Sequence, residues 1–434
     1  MQLRYIHEGQ ESFVNAVVVE GGGVTSAQGF KANAVNAKIK PTSEKDDLAM
    51  VACDNLAQTA FVATTNIFCA APIVVSRENL AHSGSASHGQ ARCVLINSGN
   101  ANAATGLPGI ENARRSATAC ANLLGCPQSE VMVASTGVIG VQLPIKKIED
   151  NVPALVSGLN INNSNKAARS IMTTDTIAKE CAISYKSSDP RFANMSFTVG
   201  GMAKGSGMIM PNMATMISVI TTNAPVPSAL AYEILRRVVS VTYNKVSVDS
   251  DTSTNDCCYL MSSAGSQSGD QASAKVFNSE DVAAHEFEAV LLEVCTQLAR
   301  MIAKDGEGAT KLITVNVTGA KTKQCADLAA RAIANSPLVK TAIYGRDANW
   351  GRIVAAAGRS GAKFLQENVD VRIMGIEVCK SGLGLDFNED LATSKFEDPE
   401  IVIDVHLGSG PFSTTIWTCD FTHDYVTING DYRT

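Results

Sequence analysis

Strand-forming runs recur along the whole chain but alternate only in part with helical stretches, and that irregular spacing narrows the accessible folds more than any other feature. Residues 47–54 (DLAMVACD), 59–66 (TAFVATTN), 92–99 (RCVLINSG) and 130–140 (EVMVASTGVIG) read as strands, the last two running into Gly-containing loops. LITVNVTG, VDVRIMG and IVIDVHLG repeat the pattern in the second half. Helices are expected over 111–125, closed by Gly125, over 228–244, and over 281–308, where Phe287, Leu291, Val294, Leu298 and Ile302 fall three and four apart. Such partial alternation predicts an α+β fold, layered sheets sandwiched with helices, rather than a doubly wound parallel sheet. No internal repeat or low-complexity tract interrupts it, and the polar patches near 83–90 and 262–274 read as surface loops.

With 434 residues, 45% hydrophobic and 18% charged, the chain can bury a large core. A net charge of −6 and the absence of any long Lys/Arg run argue against nucleic acid or an anionic membrane surface as partner. Small molecules or another copy of the chain are the partners to expect. None of the twelve cysteines has C-x-x-C spacing, and adjacent Cys257 and Cys258 cannot wrap a metal by themselves; small buried thiols in a reducing compartment are the simpler reading. The six histidines form no H-x-x-x-H pair. The opening MQLRYIHEGQ has neither the apolar core of a signal peptide nor the Arg/Ser bias of a transit peptide, and no apolar run is long enough to span a bilayer. A soluble, cytoplasmic protein is expected, or one of an organelle matrix if a targeting segment has been removed.

The stretch 205–222, GSGMIMPNMATMISVITT, poses the chemical question. A turn built on Gly205, Gly207 and Pro211 delivers Thr215 to the head of an apolar strand. An internal threonine there is ordinarily a β-former and a weak nucleophile. Were the Ala214-Thr215 bond broken, an α-amine with an ordinary pKa near ~8 would sit beside the hydroxyl, giving nucleophile and base in one residue. A strained turn lets that hydroxyl attack its own preceding carbonyl, so the chain could cut itself.

MAKGSGMIMPNMATM resembles the signature of the ornithine acetyltransferases, the bifunctional glutamate N-acetyltransferases of arginine biosynthesis. GFKA, VATTN with APIVVSRE, INSGNANAATG, STGVIG, MTTDT, SVDSDTSTND, AKDGEGATK, GRDANWGR and INGDYRT follow in the family's order, so the resemblance spans nearly the whole chain. It implies a self-cleaving N-terminal-nucleophile fold related to that of ornithine acetyltransferases and aminopeptidases. It also implies cleavage after Ala214 into chains 1–214 and 215–434, paired as α2β2, with a C-terminal tail closing the site. Thr215 matches the nucleophile, and Thr136 with Gly137 the oxyanion hole. Thr173, Lys204, Glu307, Asn429 and Thr434 match substrate-binding positions, as does Thr215 itself, and Thr174 competes with Thr173 for its place. Otherwise Thr173 or Thr174 would read as a helix N-cap, Lys204 as a surface lysine, and the glycines around Glu307 as a helix C-cap. TIWTCDF and YVTIN read as strands running almost to the chain end. Three departures from the family pattern fall in loops: Ser250 where glycine is usual, Ala348 for a proline, and Gly430 for a bulkier small residue.

The reaction so implied is ping-pong. The Thr215 hydroxyl takes the acetyl group of N2-acetylornithine, Thr136 and Gly137 hold the oxyanion, and glutamate collects the acetyl group. No metal or organic cofactor is needed, and acetyl-CoA is an alternative acetyl donor in some members. The alternatives are a related self-cleaving amidase or aminopeptidase, a phosphate-cradling module, disfavoured because G-x-x-x-x-G-K-[ST] is missing, and an inactive, uncleaved relative.

Overall fold

The structure, a computed structural model, describes residues 1–193, 195–210, 216–265 and 275–431. Their strands form two sheets. The first has ten strands: β1 (Gln2–His7), β2 (Gln10–Val18), β3 (Phe30–Val35), β4 (Leu48–Ala63), β5 (His88–Asn97), β6 (Val131–Ser135), β7 (Lys179–Lys186), β8 (Ser196–Lys204), β9 (Ile217–Thr222) and β10 (Cys257–Ser262). They run in the order β1-β2-β7-β8-β9-β10-β4-β5-β6, with β3 added to β4. Only β9 with β10 and β5 with β6 pair in parallel. The mixed sheet matches the α+β expectation.

β9 and β10 are buried at every residue, which is why ISVITT and CCYLMS carry no charged side chain. Along β10 the side chains alternate between two cores: Cys258 and Leu260 join one, Cys257, Tyr259 and Met261 the other. The first core takes the helix Val282–Lys304, whose Phe287, Leu291, Val294, Leu298 and Ile302 are all buried, as their spacing predicts. The second sheet joins β11 (Leu312–Ala320), β12 (Asp370–Ile373), β13 (Ile376–Lys380), β14 (Leu383–Gly384), β15 (Glu400–His406) and β16 (Phe412–Cys419) in the order β14-β13-β12-β15-β11-β16 around its own apolar core. It is tied to the first layer where Ser247 N–H donates to Trp417 O at 2.9 Å.

Two sequence expectations need correction. Residues 47–54 and 59–66 belong to one strand, β4, not two. The register against β5 shifts between Ala52 and Ala57, so the exposed Asp54 and Asn55 are absorbed in a bulge instead of turning the chain. YVTIN is not a strand either: residues His423–Asp431 form a helix. β-branched Val426, Thr427 and Ile428 favour strands, but Asp420 accepts from Thr310 N–H at 2.8 Å and Lys311 N–H at 2.9 Å. Those bonds anchor the segment just before it, so tertiary context overrides local propensity. Among the described residues no helix is long and apolar enough to cross a membrane.

A buried ion cluster holds the layers around the centre of the sheet. Lys179, fully buried at the start of β7, donates to Asp175 at 2.7 Å and to Asp305, the residue that ends the long helix. Asp305 also accepts from Thr176 N–H at 3.0 Å, and its main-chain oxygen accepts from Ser206 Oγ at 2.7 Å. Removing one partner from such a cluster leaves the other charges buried and uncompensated. Lys179→Met is therefore expected to cost about 3–5 kcal/mol, read as a lower denaturant midpoint with unchanged slope.

Candidate active site

Six residues singled out in the sequence line one cavity of about 170 Å³: Thr136, Gly137, Thr173, Lys204, Glu307 and Asn429. They come from five stretches far apart in the chain. Thr174 lines it too, so both threonines of MTTDT face the same space. Ala214, Thr215 and Thr434 lie outside the described residues. β8 and β9, which flank the 205–215 stretch, are antiparallel neighbours, with Lys204 opposite Ile217.

Thr136 and Gly137 leave the end of β6, and their position follows from backbone packing. Thr136 N–H donates to Asn97 O at 2.9 Å, while Gly137 has φ 132°. A Cβ there would lie 2.3 Å from Gly99 C and 2.5 Å from Asn100 N, so only glycine lets the two loops approach. Asn255 ties the same corner to the next loop, donating to Ala101 O at 2.6 Å and Ser135 O at 2.8 Å.

Lys204 is a buried lysine at the end of β8, not a surface one. Its ammonium donates to Thr173 Oγ1 at 2.9 Å and lies 3.8 Å from Asp175. Thr173 and Thr174 cap no helix; β7 is the next element. Thr173 N–H and Gly205 N–H both donate to Asp175, at 3.1 and 2.7 Å. Burial alone would raise the Asp175 pKa, but the charges of Lys204 and Lys179 outweigh it and hold this carboxyl well below the usual range.

Glu307 follows the long helix. Its N–H donates to Ser206 O at 3.2 Å and its carboxylate accepts from Asn429 Nδ2 at 2.8 Å. The flanking glycines serve more than a cap: a Cβ on Gly306 would come within 2.6 Å of Cys419 Sγ and one on Gly308 within 2.6 Å of Tyr425 N, while Gly207, from the turn opposite, leaves room for the Glu307 carboxylate. Tyr425 and Asn429, one helical turn apart, both line the cavity, so the C-terminal helix forms one wall.

Sequence reasoning passed over Tyr425, Asp249 and Asp251, which also line it. The two aspartates lay in a quoted motif, SVDSDTSTND, without being singled out. Asp249 accepts from Met208 N–H at 2.6 Å and Ile209 N–H at 2.7 Å, and those bonds fold the Gly-rich turn against the loop. Burial pushes the Asp249 carboxyl up and the N–H donors offset it in part. Burial, with the negative charges of Asp249, Glu307 and Asp251, pushes the Tyr425 phenol up to about 12, so it stays a neutral donor. Ser250 adopts φ 72°, a left-handed conformation that glycine would take without strain.

Against that geometry, the comparisons with known proteins agree. The ArgJ family model matches residues 31–434, and the chain belongs to the ArgJ family. It is an acetyltransferase of arginine biosynthesis, and the competing amidase or aminopeptidase reading gives way. It is similar to the arginine biosynthesis bifunctional protein ArgJ of Chlorobaculum tepidum, 45% identical over 406 residues, covering 94% of this chain and 96% of that one. The protein of the same name from Caldanaerobacter subterraneus subsp. tengcongensis is 43% identical, covering 95% of this chain and 99% of that one. A crystal structure of the bifunctional protein argJ from Bacillus halodurans aligns at 40% identity with TM-score 0.46, covering 49% of this chain and 97% of that chain.

Two outcomes follow. Ser250→Gly removes a left-handed serine and is expected to raise stability by about 1 kcal/mol, seen as a higher denaturant midpoint. Asp175 has a folded pKa below its unfolded value of about 3.9, so its stabilisation is complete above that pH and is lost as pH falls below it. In acid titrations of the unfolding midpoint, the parent should lose more stability than Asp175→Asn below about pH 4.

Proposed function

We propose that the chain moves the acetyl group of N2-acetylornithine to glutamate through an acetyl-Thr215 intermediate, releasing ornithine and N-acetylglutamate. The observation that carries this is the convergence of Thr136, Gly137, Thr173, Lys204, Glu307 and Asn429 on one small cavity that holds charges of both signs. An acetylated diamino acid carries a carboxylate and a free side-chain ammonium. Lys204 is the cation for the carboxylate, and Glu307, with Asp249 and Asp251 nearby, suits the ammonium.

In the proposed mechanism Thr215 is freed when the chain breaks after Ala214, giving segments 1–214 and 215–434. Its α-amine takes the hydroxyl proton as the oxygen attacks the acetyl carbonyl. The Gly137 N–H and the Thr136 hydroxyl receive the oxyanion, and the proton returns to the departing amine of ornithine. The amine of glutamate then attacks the acyl-enzyme by the reverse route. The C-terminal helix, through Tyr425 and Asn429, closes one side of the cavity. Both segments contribute strands to the first sheet, through β8 and β9, so breakage would leave them associated; two of each make the α2β2 assembly. No metal or organic cofactor takes part, acetyl-CoA is a second acetyl donor, and the enzyme works in the cytoplasm or an organelle matrix.

Intact mass under denaturing conditions tests the central step. The parent should yield two fragments split between Ala214 and Thr215, and Thr215→Ala a single chain without acetyl transfer; an unbroken parent defeats the reading. Thr136→Ala is expected to break normally yet lose about 100- to 1,000-fold in kcat, with KM for N2-acetylornithine little changed.

A further inference from the structure

The two amino acids of the proposed reaction differ in the sign of their side-chain charge. Ornithine carries its ammonium nitrogen one bond beyond Cδ, and glutamate carries its carboxylate oxygens at the same point of an equally long chain. With the α-carboxylate of either at Lys204, both side chains end in the same part of the cavity. Glu307, Asp249 and Asp251 line that part, and they suit an ammonium but repel a carboxylate. A cavity of about 170 Å³ leaves the glutamate side chain little room to go elsewhere.

One neutral group stands among these acids with a hydrogen to give. Tyr425 lines the same cavity, half-buried, and its phenol faces Asp249, Asp251 and Glu307. Its ring stacks on Phe421, with centres 4.7 Å apart and planes 23° from parallel, and the buried Lys340 ammonium lies 4.3 Å from the Phe421 ring centre. The ring is therefore held, while the hydroxyl has no hydrogen-bond partner among the described residues. Asn429, the other neutral side chain at this end, is already committed: its Nδ2 donates to Glu307 Oε2 at 2.8 Å and to Tyr425 O at 3.0 Å. Both oxygens of Asp249 are taken by the N–H groups of Met208 and Ile209. A phenol hydroxyl can accept from one ligand and donate to another, which no carboxylate at this end can do while ionised.

We propose, on the acetyl-transfer reading given above, that Tyr425 is the specificity-determining residue that lets one cavity take side chains of opposite charge. Its hydroxyl donates to the side-chain carboxylate of glutamate and accepts from the side-chain ammonium of N2-acetylornithine. The two uses are unequal. The ammonium also meets Glu307 and Asp251, whereas the carboxylate meets no other free donor among the side chains at this end. Removing the hydroxyl therefore falls on glutamate.

Tyr425→Phe keeps the ring and its stack on Phe421 and deletes only the hydroxyl. In ping-pong kinetics kcat/KM for each substrate reports its own half-reaction, so one set of initial rates separates the two. The variant should lose about 10-fold or more in kcat/KM for glutamate, chiefly through KM, while kcat/KM for N2-acetylornithine changes by less than about 3-fold. Exchange of labelled ornithine into N2-acetylornithine, which needs no glutamate, should run near the parental rate. Equal losses for both substrates, or no loss for glutamate, overturn the assignment and leave the acetyl-threonine reading standing. A parent that transfers no acetyl group overturns both. 3,5-Difluorotyrosine at position 425 covers the case of a Phe variant that does not fold. The groups bearing on the phenol are Asp249 and Asp251 before β10, Glu307 after the long helix and Cys419 at the end of β16, and the fluorinated phenol ionises more readily among them. Its kcat/KM for glutamate should fall at a lower pH than the parent's, without a matching fall for N2-acetylornithine. Coincident glutamate profiles overturn the assignment.

Discussion

The ammonium of Lys179, buried between Asp175 and Asp305, is the constraint on which the site depends. Each aspartate serves a different loop. Asp175 takes the N–H groups of Thr173 and Gly205, and Asp305 takes Thr176 while its carbonyl holds Ser206. One desolvated cation thereby sets the spacing of the 173–176 loop, the 205–207 turn and the end of the long helix. Lys204 enters as the second cation beside Asp175, and it is the one that reaches the cavity. The cluster is costly to bury, and its use is geometric: charges in low dielectric tolerate little displacement.

A second buried lysine performs the same service for the far wall. Lys340 donates to Val248 O and Thr418 Oγ1, both at 2.9 Å, and lies 4.3 Å from the Phe421 ring centre. Val248 immediately precedes Asp249, and Phe421 stacks on Tyr425. The acidic loop and the C-terminal helix are therefore registered to each other through one ammonium. The two sheets meet at the same place, so the cavity lies where the layers join, and neither layer builds it alone.

How far the site was legible in the sequence depended on the kind of residue. Gly137 was singled out through the family motif, and its φ and close contacts show that the turn after β6 requires glycine on packing grounds alone. Ser250 was noticeable as a departure, and its positive φ gives the departure a physical meaning. Lys204 would have passed for a surface lysine without the motif around it, since nothing in its neighbours announces that the end of β8 is buried. Asp249 and Asp256 stayed hidden for the same reason: in SVDSDTSTND three acids look alike, yet one folds a turn, one faces the cavity and one is buried with neither carboxyl oxygen hydrogen-bonded.

The sequence by itself determined the α+β class, the strands and helices with strong periodicity, and the family, because each rests on patterns local to short segments or on the order of motifs. Only the tertiary structure decided that two strand-like runs are one bulged strand, that YVTIN is a helix, and which polar residues are buried. Those outcomes turn on partners distant in the sequence, as Ala52 is from Cys93, Asp420 from Thr310 and Asn429 from Glu307. A propensity cannot report the dielectric a side chain will meet, and in this protein burial is what separates the acids and lysines of the site from those of the surface.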